Sequence, residues 1–217
     1  MLAAAFMTIA VSASAYLTSI VIGLAGAVCL VSHSLILRLL ANGYTTVVRG
    51  VPDLLIVYLF YFGSSQALSG LFGDNGFIAP PTFLTGFLAV GVVAGAYQAQ
   101  VFRGALDAVA KGQIEAASAY GMPRLLAFRR IVLPQAIRFA LPGAANVWQV
   151  VLKDSALISV VGLVELMRQA QIGAGSTRQP FSFFLTAGVL YLAITFISGT
   201  AFRAIEFRAQ RGVRRAA

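Results

Sequence analysis

An all-helical membrane protein of about five spans is what this sequence predicts, on three observations. The chain of 217 residues is 59% hydrophobic and only 11% charged, where soluble domains carry about 25% charged residues. Its mean hydropathy is +0.86, too apolar for the chain to cover itself with polar surface in water. The apolar runs are about 20 residues long, the length a helix needs to cross about 30 Å of hydrocarbon. Short alternating segments of the kind that build a membrane β-barrel are absent. The third observation is where the basic residues fall. With the N-terminus outside, thirteen of the sixteen Lys and Arg lie in inner segments or the tail, and only Lys153, Arg168 and Arg178 lie elsewhere. The positive-inside rule therefore favours five spans with the N-terminus out and the C-terminus in.

The spans are expected at about 3–31, 51–71, 82–102, 141–164 and 181–203. The first lacks a basic leader and is too long for a signal-peptide core, so it reads as a membrane helix. The second follows a polar stretch, Asn42 to Arg49, which is expected on the cytoplasmic side together with Arg38. Gly73-Asp74-Asn75-Gly76 is a short turn on the outer side. The fourth span is interrupted by Lys153-Asp154. The tail from Arg208 is a basic cluster suited to anionic lipid on the inner leaflet. No linker or internal repeat divides the chain, so residues 1–217 form one domain.

The formal net charge of +9 belongs to this topology and not to nucleic acid, because no stretch interleaves aromatic and basic residues. Cys29 is the only cysteine and His33 the only histidine, which leaves no disulfide, metal-ligand set or nucleophile–base pair. No G-x-x-x-x-G-K-[ST] phosphate loop is present, so the chain is read as no enzyme: any ATP would be handled by another subunit.

Residues 103–140 are the one long basic, soluble-looking stretch. Ala105 to Tyr120 is rich in helix formers, Gly121 suits a reversal, and Pro123 can open a second helix. That helix pairs Leu125, Leu126, Phe128, Ile131 and Val132 with Arg124, Arg129 and Arg130, and Pro134 is expected to end or kink it. By composition it is equally an amphipathic loop on the membrane surface or a docking element. Its spacing, Glu115-Ala116-Ala117, three residues, Gly121, nine residues, Ile131, one residue, Leu133-Pro134, resembles at every fixed position the EAA loop of ABC importer permeases. Arg49-Gly50-Val51-Pro52-Asp53-Leu54-Leu55 is similar to the motif of the polar amino-acid uptake branch, in the version of histidine, lysine, arginine, ornithine and opine permeases. On the residues themselves, Arg49 is an interfacial anchor and Asp53 a helix-start carboxylate.

The resemblance covers nearly the whole chain and implies a type I ABC importer transmembrane domain in the bacterial inner membrane. Glu115, Ala116, Ala117, Gly121, Ile131, Leu133 and Pro134 would form the coupling element, with small Ala116 and Ala117 letting a partner approach closely. The implied partners are a second permease chain (a copy or a paralogue), two ATP-binding subunits that hold ATP and Mg, a periplasmic or lipid-anchored solute-binding protein, membrane lipid, and a polar substrate, a basic amino acid or an opine. Family members usually carry a few residues before this start, so the true start is expected slightly upstream. A permease for another solute, or an ATP-independent carrier subunit, remain the alternatives; the latter would show matched repeats, which are absent.

Asn146, Gln149 and Lys153 recur at i, i+3 and i+7 and give one helix face polarity at membrane depth, with Asp154 beside it. A charge at the centre of a span costs about 2.5–3.5 kcal/mol on insertion scales. It therefore needs a watery path, a partner charge or a ligand, and the residues alone do not choose among these. Tyr97 and Gln100 share a face and are weaker path-lining candidates. Glu165 and Arg168, three apart, are expected to pair locally.

Overall fold

The computed structural model describes residues 1–72 and 78–210. The expected turn at 73–76 and most of the basic tail lie outside the described residues. The elements are helices α1 (Leu2–Val31), α2 (Leu35–Gly50), α3 (Asp53–Phe72), α4 (Thr82–Asp107), α5 (Lys111–Ala119), α6 (Arg124–Ala127), α7 (Leu133–Asp154), α8 (Leu166–Thr177) and α9 (Pro180–Ala209). A π-helical turn, Phe128–Val132, leads into α7, and a 3-10 segment, Ser155–Val161, follows it. Five stretches are long and apolar enough to cross a membrane: Leu2–Val31, Asp53–Leu71, Thr82–Asp107, Arg124–Val161 and Pro180–Ala209. The bundle end that carries residues 108–133 is called the loop end below.

The tightest packing joins α1 and α4, which run parallel. Apolar helices in lipid gain no hydrophobic energy from meeting each other, so close approach of small residues has to supply the contact. Ala15, Ser19, Gly23 and Ala27 line one side of α1 at four-residue spacing and are all buried. Gly91, Gly95 and Ala99 do the same on α4. A Cβ on Gly95 would lie 2.7 Å from Ile22 Cγ2 and 3.0 Å from the Tyr44 hydroxyl. Gly95→Val is thus expected to lower stability by roughly 1–3 kcal/mol through overpacking. Thermal unfolding of the purified chain checks this; an unchanged midpoint would contradict it.

The core continues through α4 to α7 and α3, where Val57, Val90, Val147, Val151 and Ile158 cluster. Opposite that core, α9 exposes Leu185, Val189, Leu192, Phe196 and Ile197. An outer face this apolar suits lipid or another membrane subunit.

Residues 42–49, read as a polar stretch before the second span, are the second half of α2, which leans against α4. Ala41 packs with Leu30 and Ala99, Tyr44 donates to the Val92 carbonyl, and Gln100 Nε2 donates to Thr45 Oγ1 at 3.2 Å. The Arg49 guanidinium lies over the Tyr97 ring, 5.2 Å from its centroid. Tyr97 is ten residues before the end of α4, about 15 Å from the loop end. Arg49 is exposed and lies at that level of α4. The chain then breaks at Val51-Pro52 and continues as α3, so the second crossing is two helices joined by a break.

Candidate functional site: a loop, a helix and a charged break

The loop is built as its sequence suggests. After α5 the Gly121 amide donates to the Ser118 carbonyl and the Met122 amide to the Ala117 carbonyl. Gly121 has φ +71°. This is a Schellman cap, whose left-handed residue is usually glycine. Pro123 then caps α6. Glu115 and Ala116 are exposed, so both are open to a partner. Ala117 is not: it is 5% exposed. It sits three residues into the cap, facing its own loop, so close approach of a partner falls to Ala116. Ile131 is half-buried and Leu133 is 38% exposed.

Pro134 does not end the helix: it stands in the first turn of α7, directly after the π-helical turn Phe128–Val132. A proline removes one i→i−4 hydrogen bond and its ring crowds the preceding turn, and a π-turn is a place where a helix absorbs such a disturbance. The side chain of Gln135 joins the two halves of the loop, donating to Gln113 Oε1 of α5 and, at 2.9 Å, to the Ile131 carbonyl. Gln135 thus ties α5 to the first turn of α7.

From there α7 is a rod of 22 residues, about 33 Å long. Its far end is the interruption expected at Lys153-Asp154: the α-helix stops at Asp154 and tightens to 3-10. Asp53 opens α3 just past the Val51-Pro52 break, and Val57, one turn on, packs in the same cluster as Val151 and Ile158. The two breaks therefore face each other. Asp154 lies within electrostatic reach of both Asp53 and Lys153. Lys153 and Asn146 are exposed, while Gln149 and Asp154 are half-buried. Asp53, read from the sequence as a helix-start carboxylate, is the member that sequence reasoning left out. Its nearness to Asp154 depends on α3 packing against α4 and the 3-10 segment that follows α7, and no spacing encodes it. Tyr97 and Gln100 are placed elsewhere, both turned to α2, where they hold Arg49 and Thr45.

The expected Glu165–Arg168 pair does not form. Glu165 is fully buried and caps α8, accepting from the Met167 and Arg168 amides at 2.9 Å. It also accepts from the Tyr191 hydroxyl of α9 at 2.8 Å, and Thr8 of α1 lies 3.4 Å away. Burial pushes its carboxyl up, opposed by those same hydrogen bonds. The Arg168 guanidinium turns to Gln171 instead. A helix N-terminus already stabilises a carboxylate, which leaves little for a surface cation to add.

Residues 19–211 match the family model described as binding-protein-dependent transport system inner membrane component. The chain belongs to this family. It is 63% identical to the octopine transport system permease protein OccQ of Rhizobium meliloti, over 99% of this chain and 92% of that protein. It is 40% identical to the histidine/lysine/arginine/ornithine transport system permease protein HisQ of Escherichia coli K12, over 98% of this chain and 94% of that one. Among solved structures, that of an amino acid ABC transporter with histidines superposes with a TM-score of 0.82 at 32% identity, covering 94% of this chain and 91% of the other. An inward-facing structure of the MetNI methionine transporter shares the fold, with a TM-score of 0.77 at 19% identity. The five apolar helices are thus those of a type I importer permease, a membrane subunit that works with other transporter subunits.

Proposed function

We propose that this permease carries an opine or a closely related cationic amino acid. The meeting of the two helix breaks is the observation that supports this reading most. Asp53, Lys153 and Asp154 come together at the breaks, and Arg49 stands four residues before Asp53, so this part of the chain supplies two positive and two negative groups. An arginine-derived opine carries a guanidinium, an ammonium and two carboxylates, and so matches that set group for group. Discontinuous helices are a recurrent way to present charge and free backbone to a ligand within the membrane. The 63% identity to the octopine permease component supports the same substrate class.

In this reading the loop end is cytoplasmic, the N-terminus lies outside, and the membrane is the bacterial inner membrane. A solute-binding protein delivers ligand to the far end, and a second permease chain completes the path. Two ATPase subunits, which bind ATP and Mg, dock on Glu115 and Ala116. Their closure moves α5, Gln113 and Gln135 transmit the motion to α7, and α7 displaces its charged end at Lys153-Asp154. The chain itself contributes no ATPase site. Substrate choice is tested by ATP turnover in the reconstituted complex with its binding protein. Octopine and arginine are expected to stimulate it several-fold and glutamate not at all. Stimulation by glutamate alone would sink the reading.

A further inference from the structure

A cavity of about 450 Å³ opens between α7 and α9, walled by Asn146 and Gln149 on one side and by Gly199, Phe202, Arg203 and Glu206 on the other. Gly199 leaves its wall open: a Cβ there would meet only Gln149 Nε2, at 3.6 Å. Phe202 is held by edge contact with Tyr16 and tilted contact with Trp148, which makes that wall rigid. Arg203 and Glu206 lie three apart on α9, the spacing of helix neighbours, yet they do not pair. Among the described residues the one ion pair is Arg103–Asp107. Glu206 Oε1 accepts from Gln210 Nε2 at 3.0 Å, and Oε2 has no donor among the described residues.

A guanidinium and a carboxylate side by side, both open to one cavity, complement a zwitterion. The fork of Arg203 fits a carboxylate, Glu206 fits an ammonium, and the amides of Asn146 and Gln149 fit either. The cavity also lies in line with the charged break. Lys153, Gln149 and Asn146 descend one face of α7 from that break towards the loop end, and the last two reach the cavity. The polar face of α7 therefore opens onto α9 of the same chain.

Resting on the substrate reading above, we propose that this cavity is a second subsite on the release side, which receives the ammonium-and-carboxylate head of the ligand after it leaves the Asp53–Asp154 break. Before release the ligand would exchange one compensated set of charges for another, without an uncompensated passage through the apolar half of the bundle.

The test uses the complete complex in proteoliposomes, with radiolabelled octopine or arginine, reading uptake per ATP hydrolysed. Gly199→Leu fills the cavity, and uptake per ATP is expected to fall about tenfold or more; Glu206→Gln removes one charge-assisted contact and is expected to lower it about tenfold. Gly199→Ala, at ordinary contact distance, is expected to stay near the parent, which separates volume from helix propensity. A zwitterionic lipid headgroup has the same chemistry, so the measurement is run with and without phosphatidylethanolamine. An effect seen only with that lipid would overturn the proposal. So would an assembled Gly199→Leu complex that transports normally. If Gly199→Leu does not assemble, Glu206→Gln decides, and unchanged uptake per ATP overturns the subsite. Failure of the unsubstituted complex to respond to octopine and arginine would instead refute the substrate reading.

Discussion

Gly121→Val is expected to leave the protein in the membrane and to lower ligand-stimulated ATP turnover by about tenfold or more. Gly121 sits at φ +71° with open space around its α-carbon, so a new side chain meets no neighbour. The cost is conformational. A β-branched residue in the left-handed region carries roughly 1–2 kcal/mol of strain or more. The chain can relieve that strain by abandoning the cap formed by the Ser118 and Ala117 carbonyls, which would swing α5 away from its bond to Gln135. Ala105, Ala140 and the rest of the bundle are untouched, so insertion is retained. Glu115→Lys tests the same element without strain, since it only reverses one exposed charge. Both variants are scored by ATPase co-purification and by turnover with ligand. Normal turnover in both would remove residues 111–134 from the coupling role.

Asp154→Asn is expected to weaken uptake of cationic ligands by about 10–100-fold, the range spanned by one hydrogen bond to a charged group. The substitution keeps the shape and removes the charge. Assembly and ATP binding are expected to be unaffected, because Asp154 is half-buried and is repelled by Asp53 while attracted by Lys153. A carboxylate whose neighbours partly cancel gains most from an arriving cation. If Asp154 instead served to neutralise Lys153, the variant would assemble poorly and Lys153→Met would restore it. Asp53→Asn is the companion measurement and is expected to act in the same direction. A fully assembled Asp154→Asn complex with unchanged arginine and octopine uptake would exclude the ligand role.

The sequence by itself determined the class, the span count and the helix–turn–helix form of residues 111–127. Each of these rests on local chemistry. An apolar run of span length has one outcome in lipid, and a glycine followed two residues later by proline can end one helix and open the next. The interruption at Lys153-Asp154 was legible for the same reason, as charge within a span. What the tertiary structure decided was adjacency. Residues 42–49 read as a polar stretch because asparagine, threonines and arginine stand there, yet Ala41 and Thr45 give α2 a narrow buried side that α4 accepts. Arg49 lies over Tyr97 of α4. Asp53 came near Asp154 only when α3 packed on α4 and the 3-10 segment after α7, and Glu165 left Arg168 for a helix N-terminus and Tyr191, a residue 26 positions away. The α7–α9 cavity likewise depends on which faces of two distant helices meet. Spacing along the chain encodes which residues share a helix face. Which faces then meet is set by close packing of small residues and by the need to compensate buried charge, and both act between segments far apart in sequence.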